Sequence, residues 1–219
     1  MEGVKTDRTT LRRLPERGSH DPDTVEGILD EALICHLGLV DAEGRPFVIP
    51  TIHARIGDVL YLHGSPASRA LRAGSGVDAC VVATIVDGLV LARSAFHHSM
   101  NYRSVVVYGR AEKVEDAGEK GAALEAIVEH VLAGRSAGTR APNEKEVKGT
   151  LVLRLTLAEA SAKVRAGGPL DDEEDMGLPV WAGHVPLRMV AGDPVPAADL
   201  VAGAPPWPDY ELGRGEKSP

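Results

Sequence analysis

Three stretches of this 219-residue chain put polar side chains at the ends of apolar runs. Rigid strands present ligand-binding groups at such places. The stretches are Pro50-Thr51-Ile52-His53, His63-Gly64-Ser65-Pro66-Ala67-Ser68-Arg69 and Asn101-Tyr102-Arg103-Ser104. Two of them combine Arg with Ser, and a guanidinium fork with a nearby hydroxyl suits a phosphate. The second also reads as a helix start, with Ser65 as N-cap, Pro66 in the first position and Gly74 as the stop. The open N–H groups of such a helix receive an anion, and Arg69 and Arg72 add charge. His97 and His98, just before the third stretch, offer a proton donor or substrate contact, or else form a solvated pair. His53 reads equally as a cross-strand partner, and His63 ends a strand beside the predicted phosphate helix. The residues alone leave open whether the three stretches converge.

The elements that must position these groups are mostly strands. Tyr102 to Val114 alternates strictly: Val105, Val107, Gly109 and Ala111 on one face, Ser104, Val106, Tyr108, Arg110 and Glu112 on the other. Strands are also expected over 34–40, 46–56, 59–63 and 77–86. Asp87-Gly88 reads as a two-residue hairpin turn with a return strand over 89–94. A long final strand is expected over 150–164. Helices are expected over 25–32, capped by Asp23 or Thr24, and over 116–132. Short strands joined by tight turns favour an antiparallel meander or barrel with flanking helices, an α+β chain that is mainly β.

Residues 1–23 read as a polar arm, in which Arg17 either reaches back over the cleft or, the favoured reading, is an exposed charge. The domain proper runs over 24–190. Residues 191–219 form a proline-rich tail with little periodicity. The acidic run Asp171 to Asp175 is a solvated loop. Apolar residues make up 43% of the chain, enough for a core, yet no apolar run reaches the roughly 18 residues that span a membrane. The net charge of −8 argues against nucleic-acid binding. The charged N-terminus lacks a signal-peptide core, so a cytoplasmic location is expected. Cys35 and Cys80 read as buried free thiols, and no spacing suggests a metal site.

The segments LPERGSHD (14–21), DAEGRPFVIPTIHARIGDVLYLHGSPASR (41–69), DGLVLARSAFHHSMNYRSVVVYGRAEKVED (87–116) and GLPVWAGHVPL (177–187) carry a resemblance. Together they resemble the pyridoxamine 5′-phosphate oxidase-like, FMN-binding split-barrel family, in its nitroimidazole-resistance-like subgroup. The resemblance implies a six-stranded antiparallel split barrel and a homodimer with FMN between the subunits. It implies that Ile49, Pro50, Thr51, Ile52 and His53 lie along the flavin ring. It places His63, Gly64, Ser65, Ser68 and Arg69 at the phosphate or ribityl chain, with Tyr102, Arg103 and Ser104 completing the pocket and His97 and His98 near the ring. Trp181 would cover the ring from the partner subunit. The chain ends without the Arg/His motif that the oxidase proper uses for its substrate, which argues against pyridoxamine phosphate oxidation.

The expected function is therefore an FMN-dependent oxidoreductase passing electrons from NAD(P)H to a small organic acceptor. The rival is a flavin-binding carrier or redox sensor without turnover. The deazaflavin F420 and haem rank below FMN; haem would take His53, His63, His97 or His98 as axial ligand.

Overall fold

The computed structural model describes residues 5–68 and 76–204, and its strands follow the alternation of the sequence. Strand β1 is Gly18–Ser19, β2 Cys35–Val40, β3 Pro46–Thr51, β4 His53–Ile56 and β5 Val59–Gly64. Strands β6 (Val77–Leu91) and β7 (Ser99–Lys113) are the longest, followed by β8 (Leu151–Thr156), β9 (Glu159–Arg165) and β10 (Gly183–Pro186). On β7, Val105, Val107 and Ala111 are buried while Ser104, Val106 and Tyr108 take the opposite face. All pairings are antiparallel, in the order β3-β2-β6-β7-β8-β5-β4. Strand β9 joins β7, β1 joins β9, and β10 joins β6. The curled antiparallel sheet with few helices is the split barrel that the sequence implies.

Three expected β elements differ. The Asp87-Gly88 hairpin does not form, because β6 runs on to Leu91 with both β7 and β10 paired beside it. A bulge between Val86 and Gly88 replaces the turn and reverses the inward parity. Ala79, Val81 and Ala83 are buried before it, and Gly88 and Val90 after it. A side chain at Gly88 would not fit, since its Cβ would lie 2.8 Å from the Val185 carbonyl oxygen on β10. The expected strand over 46–56 breaks at Ile52, where the chain crosses from pairing with β2 to pairing with β5. The expected strand over 150–164 breaks at Leu157-Ala158, since β8 pairs with β5 and β9 with β7. Alternation runs unbroken through Ile52, so that corner does not show in the pattern, whereas at Leu157-Ala158 the inward set passes from Leu151, Leu153 and Leu155 to Ala160 and Ala162.

Helix α1 (Pro22–Glu31) starts earlier than expected, because Asp21 accepts a hydrogen bond from the Thr24 N–H at 3.1 Å and Pro22 takes the first position. It buries Val25, Ile28 and Leu29. Helix α2 (Ala117–Val131) is capped by Asp116, and the short α3 (Glu144–Lys148) carries a capping box at Asn143 and Glu146. The core lies on the inner face of the barrel under α1, with Leu29, Leu37, Leu60, Val81, Val105, Val107 and Leu153 at 0% exposure. Each such Leu contributes about 1.5–3 kcal/mol of burial.

Residues 5–20 lie against the barrel. Thr9 is 1% exposed, Arg8 pairs with Glu159 and sits over the Tyr108 ring, and β1 pairs with β9. Cys35 and Cys80 are both free and lie on opposite faces of the sheet. Burial pushes the Cys35 thiol up to about 12 and raises that of Cys80 as well.

Candidate functional site

Cross-strand register decides which candidate residues share a surface. Pro50, His36, Val82, Val106 and Ser161 form one transverse row on the outer face of the sheet. Val48, Gly38, Cys80 and Tyr108 form the next row on one side. On the other side follow Thr84, Ser104 and Lys163, then Val86, Tyr102 and Arg165. Pro50, Tyr102 and Ser104 therefore lie on one surface, together with His36, which sequence reasoning missed. Its apolar members stand exposed although they face outward: Val48 is 63% exposed and Val86 44%. Among the described residues β3 pairs with β2 alone, so its outer edge offers main-chain groups, and Pro46 and Pro50 suit an edge.

Arg103 takes the other face. Its guanidinium binds Glu31 through both terminal nitrogens and Asp87 at 3.0 and 2.8 Å. The hydrogen bonds to Glu31, then those to Asp87, hold it well above its ordinary pKa. It borders an open cleft of about 250 Å3 whose lining includes Asp23, Thr24, Gly27, Glu31 and Val164. This cleft holds more carboxylate than guanidinium, so a phosphate would have to displace two acidic partners. Ile49, adjacent to Pro50, also points inward and packs against the core.

His53 is buried at 0% exposure. Its Nε2–H donates to the Leu29 carbonyl at 2.8 Å, and its ring lies 4.5 Å from that of His130. That places it under α1 rather than on the outer surface. Thr51 and Ile52 occupy the corner, where the Thr51 hydroxyl donates to the Ile52 carbonyl at 3.3 Å. His63 is half-buried at the end of β5, its Nδ1 has no hydrogen-bond partner among the described residues, and burial lowers its pKa. Gly64, Ser65 and Ser68 follow in a turn, with the Ser68 N–H donating to the Ser65 carbonyl at 2.8 Å and the Ala67 N–H to the Ser65 hydroxyl at 3.1 Å. The rest of the predicted phosphate helix, with Arg69 and Arg72, lies outside the described residues.

A third group gathers where the loop after β9 crosses the β6–β7 connection. Asp171 accepts from the Arg93 main chain and side chain, each at 2.8 Å, and Asp172 contacts His97 Nε2 at 3.1 Å. The acidic run read as a solvated loop thus anchors this loop through its first two residues. His98 Nδ1–H donates to the Ser94 carbonyl at 3.0 Å. Trp181 is 65% exposed, and its ring covers the open side of Gly183, where a Cβ would lie 3.0 Å away. The three sequence stretches are thus spread over the outer face, the β5 end and the core side of the barrel.

The comparisons agree with this architecture. The family model described as pyridoxamine 5′-phosphate oxidase matches residues 21–164. The chain belongs to that family. It is similar to the flavocytochrome Anf3 from Azotobacter vinelandii, at 40% identity and a TM-score of 0.88, over 95% of this chain and 98% of that one. It is also similar to an FAD- and haem-binding protein from Mycobacterium smegmatis, at 36% identity and a TM-score of 0.82, over 86% and 93% of the two chains. A putative 5-nitroimidazole antibiotic resistance protein from Bacteroides thetaiotaomicron aligns at 26% identity and a TM-score of 0.56, over 67% and 86%. No curated protein matches.

The residues present fit a flavin in two respects. The outer face offers an apolar surface for a flat ring beside an unpaired strand edge, and Tyr102 and Ser104 stand on that same face. Among the described residues no His/Cys/Asp/Glu group suits a bare metal ion, and no helix is long and apolar enough to cross a membrane.

Proposed function

We propose that this chain binds a flavin nucleotide, FMN or FAD, between two copies of itself, and acts as an oxidoreductase that takes electrons from a reduced nicotinamide. The observation that carries the reading is a sheet that is apolar on both faces in one subunit. The inner face packs the core, and on the outer face Val48 and Val86 stay exposed although they are apolar. Sheets with two apolar faces are covered on both, and a second subunit with a planar cofactor between supplies that cover. The flavin, when bound, supplies the hydride and electron chemistry. The chain supplies the apolar surface, the main-chain groups of the β3 edge near Ile49 to Thr51, and Tyr102 and Ser104. Likeness to two flavin-binding proteins over most of the chain supports the same reading. The test is the absorption spectrum of purified protein, identification of the released ligand, and NADH or NADPH oxidation. Flavin release with turnover above that of free flavin is expected. Flavin without turnover would leave a carrier or sensor, and a colourless protein that fails to take up FMN or FAD would overturn the proposal.

A second reading adds haem, since both of those similar proteins are described as carrying it, one as a flavocytochrome and one as haem-binding. His98 fits an axial ligand. Its Nδ1–H is engaged by a main-chain carbonyl, the arrangement that orients metal-binding imidazoles, and the chain around it exposes Phe96 and Met100. A Soret band in purified protein that is lost in His98→Ala, with flavin retained, is expected; a Soret band unchanged in that variant would exclude His98.

A further inference from the structure

Beyond β10 the chain leaves the barrel. Strand β10 pairs with β6 over Gly88 to Leu91, and the Leu187 N–H donates to the Asp87 carbonyl at 2.9 Å. The chain cannot follow β6 further, because β2 holds the same side of β6 from Ala83 to Cys80. Residues 188–204 form neither helix nor strand. Among the described residues the main-chain hydrogen bonds after Arg188 close only local turns, from the Leu200 N–H to the Ala197 carbonyl and from the Ala204 N–H to the Val201 carbonyl, each at 3.1 Å.

The composition of this segment is not that of a solvated tail, which is poor in apolar residues and rich in charge. Arg188, Asp193 and Asp199 are the charges of residues 187–204, and large apolar side chains are spread between them. Met189, Val190 and Val195 are 85, 83 and 91% exposed, and Leu200 and Val201 57 and 73%. Pro194 and Pro196 fix φ in the middle of the segment, so less conformational freedom is lost when it docks.

The same chain exposes a surface that suits such a segment. Register sets Leu89 directly against Met100 on β7 and against Val185 on β10. Directly paired residues of an antiparallel ladder share a face, so these three side chains form one transverse row. Met100 stands two residues from Tyr102, which puts the row on the outer face. All three are exposed, at 36, 52 and 40% for Leu89, Met100 and Val185. In a single copy the apolar segment and the apolar row leave each other uncovered.

We propose that residues 187–204 are an exchanged arm, which crosses to a second copy of this chain and lies on its Leu89-Met100-Val185 row while that copy's arm does the same in return. The proposal rests on the two-copy part of the functional reading and needs no flavin. A second copy is the occupant because it brings both halves of the contact, and reciprocal exchange closes a two-fold dimer. Fully extended, the arm reaches about 60 Å, enough to cross a neighbouring barrel. The arm and the surface it covers approach the roughly 20–30 residues a side of a stable interface.

The test uses the full chain with Val190 or Val195 replaced by the photoreactive benzoylphenylalanine. Irradiation of dilute protein is expected to give an adduct of twice the chain mass, with the cross-linked peptide holding Leu89, Met100 or Val185. In sedimentation, Val190→Asp and Val195→Asp should each weaken dimerisation about tenfold or more, since each puts a charge into an apolar contact. Both positions are exposed in one copy, so neither variant disturbs the barrel. A dimer whose cross-links stay within one chain, or whose association is unchanged in both variants, overturns the arm and leaves the two-copy reading. A monomeric wild type overturns both, and flotation of that monomer with phosphatidylcholine vesicles would assign the exposed residues to a lipid surface instead. A dimer with cross-linked arms that takes up neither FMN nor FAD keeps the arm and removes the flavin.

Discussion

Strands β7 and β9 carry an arginine on each of their two faces, and the two have opposite surroundings. Arg103, on the inner side, has two carboxylates around it, Glu31 from α1 and Asp87 from the bulge. Arg165, on the outer side, has carbonyl oxygens and a second cation around it among the described residues. Arg103 ties a helix to a sheet; Arg165 keeps its charge unspent. A guanidinium in a polar motif is available to an anion only where carboxylates do not already take its charge.

Inner and outer residues of the same strands should respond differently to truncation. The largest effect is expected from Val107→Ala on the inner face, 0% exposed, at about 2–3 kcal/mol of stability in urea unfolding, because a cavity remains. A loss no greater than that of the outer neighbour Val106→Ala would break the distinction between the faces. Arg103→Ala should follow, at about 1–3 kcal/mol, since it leaves Glu31 and Asp87 without their shared cation. Flavin affinity should stay within about twofold in that variant, because Glu31 and Asp87 already take the Arg103 charge; a tenfold loss would return the anion to Arg103.

Arg165→Met should cost less than about 1 kcal/mol of stability. The lost carbonyl bonds are offset by removing a buried charge that Arg17 repels. Calorimetry showing a larger loss than Arg103→Ala would mean that Arg165 is chiefly a structural residue. The smallest effect is kinetic. Both thiols are raised, Cys35 to about 12, so neither is appreciably a thiolate at pH 8, but only Cys80 is reachable from the surface. Alkylation should modify Cys80 slowly and Cys35 only on unfolding. Equal rates would show that the inner face opens in the native state, and protection of Cys80 by added flavin or at high protein concentration would place the subunit contact on its row.

Much of the fold is legible from local pattern. Residues 102–114 alternate, and the structure keeps that alternation. Asp116 caps its helix as expected, and the pattern of Val25, Ile28 and Leu29 buries the face it marks. The misses have a common cause. Period two runs unbroken through the corner at Ile52, the change of inward parity after Leu157 does not say which strand the chain pairs with next, and a DG pair signals a turn whether or not two further strands hold the chain straight through it. The candidate site was less legible. Tyr102-Arg103-Ser104 is contiguous in sequence, yet alternation sends Arg103 to one face and its neighbours to the other, a consequence already implicit in the strand assignment. Lys163-Val164-Arg165 was readable as two cations on one face; nothing local showed that they lack partners.

The sequence by itself determined the family, the antiparallel split barrel and the inward set of residues. These rest on short-range periodicity, capping and the order of motifs, which need no knowledge of distant neighbours. Only the tertiary structure decided which charges are spent. Glu31 lies 72 residues from Arg103, Asp87 lies 16 away, and Arg165 meets Asn101 across a separation of 64. Coulombic pairing and desolvation depend on separation in space and on burial, and the fold alone sets both.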